Sequence, residues 1–186
     1  MKKEIERFRD GIFSLYTRRF GKMTELMIQQ FKGLSDPDSN SYDLYDQNQD
    51  KKVEVKFCTA QTKHDASISG SNILEAIAGS SIHERMFPSD EWQEHQFDCN
   101  IQQVKPTEFH VLYYGIFFSD IIQIFKITSE EINNNPALIS YSNKQHRGNV
   151  GEGQFHLNND TYQIHLDHFL ENELKYSDLY ELFSEL

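Results

Sequence analysis

The sequence predicts an α/β fold, and three stretches carry that prediction. Residues 2–31 repeat apolar side chains at three- and four-residue steps, which is the spacing of an amphipathic helix. Residues 42–57 indicate a β-hairpin with a tight turn. Residues 108–118, "EFHVLYYGIFF", form a nearly continuous apolar run, which is typical of a strand buried on both faces. A helix, a hairpin and a buried strand in this order favour one layered domain over residues 1–186.

The other elements are predicted from local signals. Gly21 is a candidate break between two N-terminal helices. The remaining predictions are, in chain order, a helix over 71–86, an irregular stretch over 88–100, a strand over 120–128, a capped helix beginning at Ser129, a hairpin turning at 158–160 and an acidic helix over 169–183.

Length and composition indicate a folded domain with a core of its own. The chain has 186 residues, of which 38% are hydrophobic and 13% aromatic, and this composition excludes a disordered protein. No apolar run approaches the roughly 18 residues that a membrane helix needs, and no secretory signal is expected. The two cysteines, Cys58 and Cys99, belong to no CxxC pair, so we expect neither a structural zinc site nor a disulfide scaffold. These observations predict a reduced, cytoplasmic protein.

The charge of the chain limits how it could contact nucleic acid. Its formal net charge is -11, whereas proteins that grip phosphates on their own usually present a basic surface. The basic residues are concentrated in 1–32, which holds eight Lys and Arg against four acids, and in the short segment 143–149. We therefore expect little intrinsic affinity for DNA.

The hairpin contains three charged residues whose positions can be derived from register. If Asp46 pairs with Lys51 across the turn at 47–50, then Asp43 lies opposite Glu54. Side chains alternate along a strand. The apolar residues then share one face, and Asp43, Glu54 and Lys56 share the other. The apolar set is Tyr42, Leu44, Val53, Val55 and Phe57.

Two facing carboxylates in a hairpin need a compensating cation. Directly opposed residues have Cβ atoms roughly 4.5–5.5 Å apart, and two negative charges at that separation repel each other. Lys56 compensates in part, and a divalent ion such as Mg²⁺ compensates more fully, with two carboxylates, a backbone carbonyl and waters as ligands. Such an ion can polarise a phosphodiester while the lysine stabilises charge on the phosphate. The alternative to a metal site is an ordinary solvent-facing hairpin that shows this pattern of acids and lysine by chance.

The stretch "YDLYDQNQDKKVEVKF" resembles the active-site hairpin of the PD-(D/E)xK superfamily of restriction endonucleases and related nucleases. The resemblance implies a restriction-endonuclease-like core, with a central mixed sheet flanked by helices, and Mg²⁺ as the cofactor. It also implies that Asp43, Glu54 and the Val55 carbonyl are metal ligands and that Lys56 is the catalytic lysine. The P in the family's name is a proline directly before the first acid, and in this sequence Tyr42 occupies that position before Asp43. The order helix, hairpin, helix, buried strand extends the likeness over about residues 23–118.

The whole chain also resembles the small subunits of heterodimeric type IIS restriction endonucleases. The length, the hairpin and the segment "SYSNKQHRGNVGEGQFHLN" carry this likeness. It implies a subunit that cuts one strand of double-stranded DNA when a large subunit has recognised the site and nicks the other strand. Such a subunit needs little phosphate affinity of its own, in keeping with the acidic chain.

A few further residues are candidates for the site or for DNA contact. Family members often add a glutamate from the helix before the hairpin, so Glu25 is a candidate metal ligand. At 100° per residue, however, it lies about 140° from the apolar Phe20, which also suits an ordinary surface glutamate. The candidate phosphate contacts, each equally compatible with a solvated loop, are Lys63, Lys144, His146 and Arg147.

Two other functions remain open at the level of sequence. A stand-alone repair or junction-resolving nuclease could use the same core and would act without a sequence-reading partner. A non-catalytic module could instead use its acidic surface to bind a basic protein. Binding of a divalent metal at the hairpin separates both nucleases from the binding module.

Overall fold

The computed structural model describes residues 2–63, 67–144 and 150–186. The helices are Lys2–Phe13 (α1), Thr17–Lys32 (α2), Ile73–Ala78 (α3), Ile82–Arg85 (α4), Ser129–Asn134 (α5), Tyr162–Phe169 (α6) and Tyr176–Ser184 (α7), with a 3₁₀ turn at Ser89–Glu91. The strands are Leu44–Asp46 (β1), Lys51–Thr59 (β2), Asp98–Val104 (β3), Val111–Phe117 (β4), Ile121–Thr128 (β5), Ser142–Lys144 (β6), Val150–Asn158 (β7) and Leu170–Lys175 (β8).

The strands form a central mixed sheet and a smaller second sheet. The central sheet has the order β1-β2-β4-β5-β8, in which β2 and β4 are parallel and the other pairs are antiparallel. Between its parallel strands the chain passes through α3, α4 and β3. The second sheet has the order β3-β7-β6 and is antiparallel. The α/β class with a mixed central sheet flanked by helices is therefore confirmed.

Strand β4 explains why the fold has three layers. All of its residues are buried, and their apolar side chains project from both faces of the central sheet. Both faces must therefore be packed against other elements. On one face Val111 and Phe117 pack with apolar residues of α1, α2 and α7. On the other face Leu112 and Tyr114 pack with residues of β3, β7 and α6. Helices thus cover one face, and the second sheet with α6 covers the other.

Strand β2 changes character along its length. Val53 and Val55 are buried in the helix-side core, as the hairpin register predicts. On the opposite face Glu54 and Lys56 precede Cys58, which packs against the core between the sheets. The two charged residues therefore lie where the cover provided by the second sheet begins. No helix among the described residues is long and apolar enough to cross a membrane.

Several predicted elements are wrong in their bounds. The two N-terminal helices separate at residues 14–16 rather than at Gly21. Gly21 lies inside α2 with open space around it, and a glycine does not by itself end a helix. The helix predicted over 71–86 is two short helices separated by residues 79–81. The helix predicted from Ser129 is confirmed, and its N-cap is Thr128, whose hydroxyl accepts the N–H of Glu131.

The largest errors concern the second sheet and the C-terminus. The stretch 88–100 contains the start of β3, and 158–160 leads from β7 into α6 rather than around a hairpin. The predicted C-terminal helix is divided into β8 and α7. β8 forms because an edge position beside β5 is open there, and this non-local pairing outweighs the helical pattern of the local sequence.

Replacing Gly115 with alanine should destabilise the protein by about 1–3 kcal/mol, the usual cost of overpacking. A methyl group at this position would overlap the ring of Phe57 on β2 and the carbonyl oxygen of Gln123 on β5. Gly11 in α1 has open space around it, so Gly11→Ala is the matched control and should stabilise by about 0.5–1 kcal/mol. Urea unfolding of both variants measures the difference, and equal midpoints would contradict this packing.

Folding stability should fall at acid pH because of His165. This side chain is fully buried beside Tyr114, with the tyrosine oxygen 2.8 Å from Nδ1. Burial lowers the pKa of His165 from 6.5 to about 4, although the backbone of His156 opposes the shift. In this pH range His165 binds a proton in the unfolded chain but not in the folded chain. Stability is therefore lost as the pH falls from about 6.5 toward 4.

Urea unfolding at pH 7 and pH 5 checks this assignment. Between these values the histidine should account for about 2 kcal/mol of lost stability in the wild-type protein. His165→Asn should reduce the pH dependence by that amount, since the other titrating groups are common to both proteins. An unchanged pH dependence in the variant would show that another group is responsible.

Candidate active site

The hairpin turn sets the position of the candidate site. The predicted register is confirmed, with Asp46 opposite Lys51 and Leu44 opposite Val53. The Asp46 carboxylate accepts the N–H groups of Asn48 and Gln49, each at 3.0 Å, which closes the turn. The pairing is thus fixed by interactions within the turn itself.

Asp43 lies just outside the ladder, which corrects the simple cross-strand pair. Its N–H donates to the Val53 carbonyl at 3.0 Å, so it is not the direct partner of Glu54. Its carboxylate instead accepts the Val55 N–H at 2.9 Å. The side chain thereby takes the place of a backbone acceptor beyond the end of β1. This bond orients the carboxylate against the edge of β2.

The three charged residues nevertheless converge on one point. The Lys56 Nζ atom lies 2.6 Å from a carboxylate oxygen of Glu54 and 3.6 Å from one of Asp43. The Glu54 side chain is only 12% exposed, so this is an ion pair with restricted access to water. An ammonium thus lies where the sequence predicts that a cation is needed.

The pKa values of the pair follow from its burial. Burial raises the pKa of Glu54 to about 7, Lys56 opposes this shift, and the charge of Asp43 adds to it. Burial alone would lower the pKa of Lys56, but the carboxylates of Glu54 and Asp43 outweigh burial and raise it. Lys56 is therefore held as a cation by the two acids.

The charged residues line a small cavity between the hairpin and the second sheet. Its volume is about 160 Å³. Besides the three charged residues, its lining includes Tyr42 and, from distant parts of the chain, Gln103, Lys105, Glu108 and Glu152. Tyr42 is buried, but its ring lies below the ammonium of Lys52 and borders the cavity, so its predicted place among the apolar residues is wrong.

The donor atoms at this cavity suit a hard divalent cation. The Val53 carbonyl bonds Asp43 on the β1 side, and the Lys52 carbonyl bonds His110 on the β4 side. Because successive carbonyls of a strand point to opposite edges, the Val55 carbonyl points to the β1 side, beside the Asp43 carboxylate. Two carboxylates and a carbonyl form a set of oxygen ligands that fits Mg²⁺ completed by waters. No group of three or more His, Cys, Asp or Glu arranged for a metal occurs among the described residues.

The other predicted side chains that the structure describes do not line this cavity. Glu25 pairs with Lys22 at 2.9 Å on α2 and is not among the lining residues. Lys63 pairs with Asp98 of β3 at 3.1 Å, and Lys144 is exposed on β6. His146 and Arg147 lie outside the described residues.

Sequence reasoning missed, among others, the four polar lining residues that come from distant parts of the chain. Glu108 precedes the buried strand β4, Gln103 and Lys105 lie at the end of β3, and Glu152 lies on β7. None of them shares a spacing pattern with the hairpin, because the second sheet rather than the local sequence brings them to it. The sequence could have indicated Glu108 as a site residue through its position, since it is an acid at the start of the buried strand.

In comparisons with known proteins, no family model, curated protein or solved structure matches this chain. The candidate site therefore rests on its own geometry.

Millimolar Mg²⁺ should stabilise the protein through Asp43 and Glu54. At ten times its dissociation constant, a bound ion adds about 1.4 kcal/mol to the free energy of unfolding. Urea unfolding with Mg²⁺, with EDTA and with NaCl of equal ionic strength measures this increment. Asp43→Asn and Glu54→Gln should each abolish it.

Glu25→Gln is the control for this measurement. Since Glu25 pairs with Lys22 and does not line the cavity, the variant should respond to Mg²⁺ like the wild type. A loss of the response in this variant would add Glu25 to the ligands. A response retained in both Asp43→Asn and Glu54→Gln would place the ion elsewhere.

Proposed function

We propose that this protein is a Mg²⁺-dependent endonuclease of the PD-(D/E)xK superfamily. The observation that carries the proposal is the convergence of Asp43, Glu54 and Lys56, from the two arms of the hairpin, at one partly enclosed cavity. These are the residue types and the spacing that the family resemblance implies. The reaction is hydrolysis of a phosphodiester in double-stranded DNA.

The surrounding architecture supports the same proposal. A helix precedes the hairpin, and the chain then passes through further helices to a buried strand parallel to β2. This is the order that the restriction-endonuclease-like core requires. The inserted strand β3 departs from it and belongs to the second sheet.

Each residue has a role that follows from its position. Asp43 and Glu54 supply carboxylate ligands, and the bond from the Val55 N–H keeps the Asp43 carboxylate in place. A bound Mg²⁺ would act as a Lewis acid on the phosphodiester and lower the pKa of an attacking water. Lys56 presents an ammonium at the same point, where it donates to a phosphate oxygen and stabilises developing negative charge.

The charge of the chain supports a partner subunit. A chain with a net charge of -11 repels the DNA backbone, and phosphate contacts dominate DNA affinity. We infer that a large subunit recognises the site, nicks one strand and delivers this chain to the other strand, as in heterodimeric type IIS restriction endonucleases. The partner then supplies the affinity that this chain lacks.

Cleavage of supercoiled plasmid with Mg²⁺ tests the proposal, with this chain alone and with a site-recognising large subunit. We expect no cleavage by the chain alone and conversion of nicks into double-strand breaks with the partner. Efficient cleavage by the chain alone would favour a stand-alone repair nuclease. Inactivity in both conditions would favour the binding module.

Asp43→Asn and Lys56→Met should each reduce cleavage at least about 100-fold, the usual cost of removing one group that stabilises the transition state. In Asp43→Asn the amide oxygen of the new side chain can still accept the Val55 N–H, so circular dichroism should show an intact fold. Lys52→Met is the control, because Lys52 is an exposed lysine on the same face of β2, outside the cavity lining. Wild-type rates in both site variants would rule out this active site.

A further inference from the structure

A β-bulge at the end of β3 brings a second group of side chains to the catalytic cavity. The register between β3 and β7 shifts between Gln102 and Val104, and Gln103 has φ +59°. The bulge breaks the alternation of the strand, so that Gln102 and Gln103 are both exposed while Val104 is fully buried. Gln103 and Lys105 consequently both line the cavity.

Neighbouring residues hold this bulge in place. The Tyr141 hydroxyl donates to the Val104 carbonyl at 3.1 Å. It can do so because Gly153, which pairs with Val104, has no side chain, and a methyl group there would overlap the tyrosine hydroxyl. A left-handed backbone at a glutamine is unfavourable and persists only where its surroundings determine it. The arrangement therefore places Lys105 at a defined position beside the hairpin.

The ion pairs of Lys105 are loose. Its Nζ atom lies 3.5 Å from an oxygen of Glu108 and 4.0 Å from one of Glu152, and all three side chains are about one third exposed. Pairs of this kind contribute little to stability. Stabilising the fold is therefore a weak explanation for an ammonium at this cavity.

The charges at the cavity suggest another use for Lys105. The lining holds four carboxylates, from Asp43, Glu54, Glu108 and Glu152, and two ammonium groups, from Lys56 and Lys105. A phosphodiester entering such a site meets a net negative lining. The Lys56 ammonium lies 2.6 Å from a carboxylate oxygen of Glu54, whereas the Lys105 ammonium lies 3.5 Å from its nearer acid, Glu108. Lys105 is therefore the ammonium that can move to a phosphate at smaller cost.

We propose that Lys105 is a substrate-positioning residue that binds a backbone phosphate of the DNA strand next to the scissile one. Glu108 and Glu152 hold its ammonium until DNA arrives, and Gln103 presents an uncharged amide donor to the same strand. The proposal rests on the nuclease function proposed above and adds a phosphate contact from the second sheet. It implies that the two acids compete with DNA for one lysine.

Steady-state cleavage kinetics of the active enzyme, alone or with its partner, test this role. Lys105→Met should raise KM roughly tenfold near 0.1 M salt and lessen the salt dependence of binding by about one phosphate contact, with kcat changed less than about twofold. The double variant Glu108→Gln with Glu152→Gln should lower KM, because its lysine is no longer held. A purely structural ion pair would shift the urea midpoint in both variants and leave KM unchanged.

Lys126→Met is the matched control. Lys126 lies near the ring of Tyr113, on the face of the central sheet opposite the cavity, so its KM and salt dependence should equal those of the wild type. An unchanged KM for Lys105→Met in an enzyme that cleaves normally would overturn the phosphate contact and leave the nuclease proposal standing. Absence of cleavage by the wild type with and without the partner would overturn both.

Discussion

The fold depends on the burial of β4 on both faces. Every residue of this strand is buried, so the central sheet must be covered twice, by helices on one side and by the second sheet on the other. The second sheet does not cover the whole length of β2. Where its cover begins, Glu54 and Lys56 border a cavity, whereas Cys58 further along the same face packs against the core. The candidate site is thus an edge of the core rather than a separate feature.

The electrostatics of the cavity follow from this position. A carboxylate at the edge of an apolar core loses hydration, which raises the pKa of Glu54 to about 7, and Lys56 is placed where it offsets that cost. Asp43 is oriented by a backbone N–H that β1 leaves without a partner strand. In this arrangement the ammonium of Lys56 compensates the carboxylates of Glu54 and Asp43. This compensation also explains why the hairpin tolerates three charges on one face.

The extent to which the site could be predicted differs between its two halves. The register from Asp46 to Lys51 follows from a turn whose own carboxylate closes it, and such local chemistry can be inferred from a few residues. Lys105 and Glu152 could not be inferred. They reach the cavity through the pairing of β3 with β7 and through a bulge in β3, and neither leaves a periodic signal in the sequence. The same limitation explains why β8 was predicted as helix.

The sequence by itself determined the α/β class, the buried strand β4 and the charged face of the hairpin, because each depends on side-chain alternation or on a tight turn. Only the tertiary structure decided that Asp43 lies outside the ladder, that Tyr42 borders the cavity and that a second sheet lies beside the hairpin's charged face. The physical reason is that strand pairing between distant segments is selected by the packing of whole faces. Which sheet faces and strand edges are open for such pairing depends on how the rest of the chain packs.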